Sequence, residues 1–426
     1  MKVLLQIKSK AEKLGEQALL SLNSFLLTIL LGRYASAETF AQYALSFLWV
    51  LFGFALLQAY LLQPLSYFSE KNGKRSTQTQ FISFFVIFQL LFLIGFKLFL
   101  VGYDALTHNR QAHLPLLCWA FSYNAFYFFR HLLIMHQNKK GQWRSVITFS
   151  LLCIGGISGL ILLQELHYDY ILYLLALALL SGSMVSYFHL PQVRPAALHQ
   201  LPWKKHWIYA RYLMATAVFQ WFSGNAFWVA AGTLLAPFLF SGIRLVQNLT
   251  GLLNIGMMAI DNYLPFRWMK KLPGEKKWAQ VLIRESLLPS VLIIFVCLLA
   301  WMFGESLMIG VYGKTYATFA HWIAPMAALS LLGLWSLELK IAARCFSQNG
   351  LILLSNIIVS LFSISIAPWL LKNFEIKGLL IGLGAAQFLM ASSLLLGLIF
   401  WSHRIKEVSQ ATKNNLSALN KSPEHN

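Results

Sequence analysis

Apolar residues in this chain come in stretches of about twenty, the length at which a helix crosses the hydrocarbon core of a bilayer. Twelve such stretches can be marked: 15–33, 40–63, 79–101, 114–135, 145–164, 168–188, 207–233, 238–260, 286–309, 319–342, 351–371 and 377–401. The junction at Ala236–Pro237 is the least distinct, because one apolar run crosses it; Pro237, close after Gly232, favours a break between two helices there. Only 12% of residues are charged and the mean hydropathy is +0.61. Soluble chains carry about 25% charge, so a water-soluble body of 426 residues is excluded.

The basic residues test this map. With twelve crossings, all but seven of the 34 Lys and Arg fall on one side: at both termini and in the links near 64–78, 136–144, 189–206, 261–285 and 343–350. The seven are Arg33, Lys97, Arg110, Arg244, Lys314, Lys372 and Lys377. Positive charge is retained in the cytoplasm, which places both termini there, in a multi-pass membrane protein. A basic start followed by an apolar run and Ala35-Ser36-Ala37 has the outline of a cleavable leader. Cleavage would leave eleven crossings and put the termini on opposite sides, so the first span is read as retained. The net charge of +19 is dispersed over short links rather than gathered in one stripe. It therefore suits anionic lipid headgroups, not nucleic acid. Cys118, Cys153, Cys297 and Cys345 show neither metal-ligand spacing nor a disulfide framework and read as packing residues.

No link is long enough to form a separate domain, so whatever the chain does is done within the bilayer. Two halves are expected, an N-terminal lobe over 1–200 and a C-terminal lobe over 201–402, with 403–426 a polar cytoplasmic tail expected to be disordered. "GRYASAETFAQYALSF" from Gly32 and "GTLLAPFLFSGIRLVQ" from Gly232 stand two hundred positions apart. That register aligns Phe40 with Phe240 and Leu45 with Leu245. Six helices return the chain to its starting side, so the repeat is parallel, about an axis along the membrane normal. The fold expected is all-α, with twelve transmembrane helices in two six-helix lobes around a central cavity, a common transporter plan.

The eighth span carries Arg244, Gln247, Asn248 and Asn254. At 100° per residue these fall, with Gly251 and Asp261, in one sector of about 140°. The seventh brings Thr216, Gln220, Ser223 and Asn225; Asn23, Gln58, Asn124 and Arg130 come from spans one, two and four. Amides in membrane helices often only hold helices together, and Arg33, Lys97 and Arg211 are placed to snorkel. An arginine inside an amide stripe points further, to a path for a ligand. Its planar fork suits phosphate oxygens, and the amides suit sugar hydroxyls. The acids fall in links and at span margins, Glu16, Glu305 and Glu338 among them, so no carboxylate is expected near the midplane for a cation exporter.

"GEQALLSLNSFLLTILLGRYASAETFAQYALSF", "GVYGKTYATFAHWIAPMAALSLL" and "KNFEIKGLLIGLGAAQ" follow one another along nearly the whole chain. As an ordered set they resemble bacterial polysaccharide flippases, O-antigen type, of the multidrug/oligosaccharidyl-lipid/polysaccharide flippase superfamily. The resemblance implies alternating-access movement of an undecaprenyl-diphosphate-linked oligosaccharide from the cytoplasmic to the periplasmic leaflet, for O-antigen, capsule or exopolysaccharide synthesis. It implies that Arg244, Arg130 and Arg33 hold the diphosphate, with Gln247, Asn248, Asn254, Gln220, Ser223, Asn225, Asn23, Gln58 and Asn124 around the sugars. It also implies membrane lipids, a glycan polymerase and chain-length proteins as partners. Transport makes and breaks no bond, so no catalytic residue, metal or cofactor is assigned, and no G-x-x-x-x-G-K-[ST] loop is present. Three other readings stand beside it. One is a cation-coupled drug or metabolite antiporter of the same superfamily, which requires a buried carboxylate; the others are a glycan polymerase and a membrane scaffold.

Overall fold

A computed structural model describes residues 2–72, 74–107, 113–191, 202–253, 256–257, 260–261, 264–265, 268 and 278–419. Side chains are described over 15–69, 77–105, 113–191, 202–253 and 278–401, and at the single positions between 253 and 278. Every element among these residues is helical. In order they are α1 (Lys2–Tyr34), α2 (Ala37–Leu57), a π turn (Gln58–Leu62), α3 (Gln63–Asn72), α4 (Lys74–Thr107), α5 (His113–Met135), α6 (Lys139–Leu162) and α7 (Tyr168–Phe188). The second half has α8 (Trp203–Leu234), α9 (Pro237–Thr250), α10 (Trp278–Tyr312), a 3-10 segment (Lys314–Trp322), α11 (Ile323–Cys345) and α12 (Asn349–Leu419). α12 bends at Glu375, where φ is 47° and ψ −123°, so it supplies two crossings. With α2, the π turn and α3 as one path, each of the twelve expected spans has a helix, the eighth as Pro237–Thr250 with the rest of 238–260 only partly within the described residues. The junction at Ala236–Pro237 is a break, with Pro237 in the first turn of α9, where its missing N–H costs nothing. α12 stays helical to Leu419, into the polar segment expected to be a tail.

Local sequence explains the boundaries. Ser36 caps α2 by accepting a hydrogen bond from the Thr39 amide at 3.1 Å, satisfying one of the open donors of a helix start. Pro64 follows the π turn, and the Gln63 amide donates to the Gln58 carbonyl five residues back. The turn absorbs the bond that Pro64 cannot make. At the α12 bend, a Cβ on Gly378 would stand 2.1 Å from the Leu370 carbonyl oxygen, so the two limbs approach this closely only over glycine. Leu91, Leu98, Trp301 and Phe400 remain largely exposed on the outer surface of the bundle, as side chains facing acyl tails do.

The halves repeat each other in detail. A Cβ on Gly32 would collide with Leu245, and one on Gly232 would press on Leu45. The contacts are reciprocal, as a two-fold relation requires, and occur in the register two hundred positions apart. The turns agree: the Ala35 amide bonds the Leu31 carbonyl and the Leu235 amide the Ala231 carbonyl. A second register, 210 positions apart, relates the turn after α5 to the turn after α11. Gln137 and Ser347 both take positive φ, at 57° and 59°. Their amides bond Ile134 and Arg344, and the next amides bond Leu133 and Ala343.

Within the first half α1 packs on α6, α2 on α5, and both α5 and α6 on α7; within the second, α8 and α11 pack on α12 and α10 on α11. The lobes meet where α2 runs against α8 and α9, and α1 against α9.

Candidate functional site

The seam between lobes is built from small residues and rings. Trp49 stacks on Trp221 at 5.5 Å, and Phe52 meets the same indole at a tilt, 4.8 Å away. Towards the end of the bundle that bears the basic links, Tyr67 stacks on Tyr209 at 4.8 Å. At the opposite end Ser241 Oγ donates to the Ala37 carbonyl at 2.7 Å, Tyr103 and Thr233 share a 2.7 Å hydrogen bond, and Arg33 reaches the Gly310 carbonyl at 3.5 Å. These contacts tie the lobes together end to end along α2 and α8.

Arg244 lies half-buried on this seam. Its guanidinium donates to Gln247 Oε1 and sits 5.1 Å over the ring of Trp228 from α8, a cation–π arrangement that stabilises a partly desolvated charge. Asn248, one turn on, donates to the Tyr312 hydroxyl at 2.8 Å, linking α9 to α10. The structure therefore brings Arg244, Gln247 and Asn248 together as a stripe, with Leu245 turned into the opposite packing face. Asn254 lies outside the described residues.

The other expected residues are distributed. Arg130 does not converge on Arg244: its Nε donates to Glu16 Oε1 at 2.7 Å, and the pair joins α5 to α1 with Glu16 buried and Arg130 partly so. This corrects the placing of Glu16 at a margin; α1 runs thirteen residues further towards the N-terminus than the apolar window, so Glu16 is inside the bundle. Arg33 is exposed at the end of α1. Ser223 donates to Asn356 Oδ1 at 3.1 Å, Asn225 bonds the Trp221 carbonyl of its own helix, and Gln220 is exposed beside them. Gln58 is exposed at the start of the π turn. Asn23 and Asn124 are buried, at 3% and 1% exposure. Neither amide atom of Asn124 has a partner among the described residues, which leaves a polar group in the first lobe open to water or a ligand.

Two sets of residues were missed from sequence. An aromatic run, Tyr43 and Phe47 on α2 with Trp119 and Tyr123 on α5, joins Phe54 and Tyr127. Tyr43 stacks on Trp119 at 5.6 Å, and Tyr127 meets Phe54 at 4.5 Å. Tyr43 is within electrostatic reach of Arg244, and Tyr123 of Arg130, so the run lies between the two arginines. Its signal was the four-residue spacing of rings on two helices. The second set is in the other lobe. Glu338 is 1% exposed and accepts a hydrogen bond from Ser286 of α10, while its other oxygen has no partner among the described residues. It is seven residues inside the end of α11, roughly 10 Å along the axis. A buried carboxylate therefore exists, contrary to the expectation that the acids are confined to margins. The window 319–342 ended too early; α11 continues to Cys345. Among the described residues no cluster of His, Cys, Asp and Glu is arranged to hold a metal.

Solved structures now provide a comparison. One, an inward-facing multidrug resistance MATE family transporter of the MOP superfamily, matches with a TM-score of 0.69 at 13% identity, over 92% of this chain and 95% of that one. The fold is MATE-like. The eukaryotic MATE transporter AtDTX14 matches with a TM-score of 0.57 at 15% identity, over 95% and 99% of the two chains. An outward-facing MATE transporter gives 0.53 at 12% identity, over 92% and 93%. No protein-family model and no curated protein matches the chain. In a MATE-like fold the α2–α8 seam is the boundary between two lobes, and Arg244, the aromatic run and Glu338 occupy one or other of its sides.

Proposed function

We propose that this chain is a secondary transporter that works by alternating access between its lobes. The reciprocal Gly32–Leu245 and Gly232–Leu45 contacts give the lobes a symmetric rocking surface.

For the cargo, the reading best supported is a cation-coupled antiporter of a drug or metabolite. The observation that carries it is Glu338: a carboxylate within a membrane helix, hydrogen-bonded only to Ser286 among the described residues, is the group a coupling proton or cation needs. Two of the solved neighbours are described as multidrug resistance transporters, which favours the same reading. A second reading, translocation of a lipid-diphosphate-linked oligosaccharide in the inner membrane with both termini cytoplasmic, keeps one specific observation in its favour: Arg244 is held at the lobe seam beside amides and an indole face, as a phosphate-binding group would be.

Disrupting the gene separates them. Raised sensitivity to cationic dyes with unchanged surface glycan supports the antiporter. Loss of long glycan chains, with lipid-linked repeat units accumulating on the inner leaflet, supports the flippase and overturns the antiporter. In the antiporter case Glu338→Gln should lower proton-driven dye efflux at least about tenfold at normal protein levels, the scale of losing one charged group at such a site. Efflux unchanged in that variant would remove Glu338 from the mechanism.

A further inference from the structure

At the end of the seam that bears the basic links, a histidine of the second lobe is seated inside the first. Trp203, His206 and Tyr209 follow at intervals of three at the start of α8 and so line one side of that helix. Trp203 meets Phe84 edge-on at 5.0 Å, and Tyr209 stacks on Tyr67. Between them the His206 ring lies nearly flat on Phe84, 4.2 Å away and inclined by 18°. Tyr60 of the π turn stands edge-on to it at 4.7 Å, and Phe81 at 5.4 Å. His206 is 1% exposed. The three rings that enclose it all belong to the first lobe.

A phenylalanine would fill this place without a polar atom. Neither nitrogen of His206 bonds a described side chain, and the polar group within its reach is the Tyr60 backbone. The groups beside it that titrate or carry charge are few. The π turn offers the Tyr60 phenol, α3 the Tyr67 phenol, and α8 itself Tyr209 with the exposed Lys204 and Lys205. From α4 it meets only Phe81 and Phe84. None of these is a carboxylate, so an imidazolium would have no counter-charge among the described residues. Ring faces attract a cation, yet an imidazolium has two N–H donors and the rings offer them no lone pair. His206 precedes the seventh span, and burial pushes its pKa down to about 4. A solvated imidazole titrates near about 6.5. The contact is therefore at full strength above about pH 6.5 and is lost progressively as the pH falls from there towards about 4.

We propose that His206 is a proton-operated clasp between the lobes: the neutral ring holds the start of α8 against the first lobe in the state described, and protonation from the side of the basic links frees it, so that the lobes can rock. The clasp rests on the alternating-access reading above, and on neither the cargo nor Glu338. A ligand can move a two-state equilibrium only by its differential affinity for the two states. Here the ligand is the proton, and the cage that excludes it supplies the difference.

The test is double electron–electron resonance on the full chain in nanodiscs, with its native cysteines replaced and a spin-label pair at each end of the bundle. Glu38→Cys with Lys314→Cys reads one end, and Lys140→Cys with Asn349→Cys the other. A Glu338→Gln background keeps that acid out of the titration. The ratio of the described state to its alternative should fall about tenfold between about pH 7.5 and 5.5. In His206→Phe, which keeps a ring and cannot titrate, the ratio should not change with pH. In His206→Arg, which is always charged, it should be low at both ends of the range, and Lys204→Gln should follow the chain with His206 intact. No pH effect with His206 intact, the same tenfold fall in His206→Phe, or a high ratio in His206→Arg at neutral pH overturns the clasp. If the arginine variant does not fold, the phenylalanine variant decides alone. In the chain that keeps Glu338, a dye-driven shift that survives where pH has no effect overturns the clasp and leaves the rocking of the lobes standing. Distances that answer to neither pH nor dye overturn both.

Discussion

The charge pair inside the first lobe is explained by its immediate partners. Arg130 and Glu16 form an ion pair with little exposure on either side chain, so neither could be removed alone without leaving an unpaired charge in a dry site. Breaking such a pair costs roughly 3–5 kcal/mol, whereas replacing both members by apolar groups is often neutral. Arg130→Met should therefore lower the thermal unfolding midpoint in detergent by several degrees, and Arg130→Met with Glu16→Leu should recover most of the loss. A double variant as unstable as the single one would show that the pair does more than neutralise itself. Sequence could place Arg130 inside a span but could not find its partner, because the two lie 114 positions apart and nothing local joins them. Arg244 was more legible. Gln247 and Asn248 stand three and four residues on, the spacing at which helical side chains meet, and two of the three polar contacts in the stripe begin there. Its stacking on Trp228 was hidden, since that needs the angle between α8 and α9.

At the scale of helices, length and hydropathy carried most of the information. Eight stretches are long and apolar enough to cross a membrane on those grounds alone, and the stretch Asn349–Trp401 is long enough to cross twice. α5, α8 and α9 are absent from that set: Arg130, Asn124, Gln220 and Asn225 dilute the hydropathy of the first two, and α9 has only 14 residues; the alternation of basic links supports counting all three as crossings. The break between 371 and 377 was legible as a gap between two spans, but its conformation was not. Glu375 has no sequence property that demands a positive φ, and the sharpness of its turn comes from Gly378 lying against the Leu370 carbonyl. Gly378→Ala should force the limbs of α12 apart at a cost of about 1–3 kcal/mol, the range for overpacking a tight contact. Gly350→Ala, where a Cβ meets open space, should be nearly silent. Equal thermal stability of the two variants would contradict this account of the bend.

Over the whole molecule, the repeat was visible at Gly32 and Gly232 as a loose similarity of turns, and became a two-fold relation only through reciprocal contacts across the seam. The 210-position register was invisible in sequence, since Gln137 and Ser347 share geometry and not identity. Symmetric packing of this kind gives two arrangements of similar energy, and a ligand or coupling ion can choose between them. In the state described, Ser241, Thr233 and Arg33 close the end opposite the basic links.

The rocking of the lobes is tested most directly by distance measurement. Spin labels at Glu38→Cys with Lys314→Cys report on one end, and at Lys140→Cys with Asn349→Cys on the other, after replacement of the four native cysteines, which are all free. Double electron–electron resonance in nanodiscs, before and after a shift from neutral to acidic pH or addition of a transported dye, should show the first distance lengthen while the second shortens. Two distances that stay fixed, or that lengthen together, would contradict alternating access about this seam.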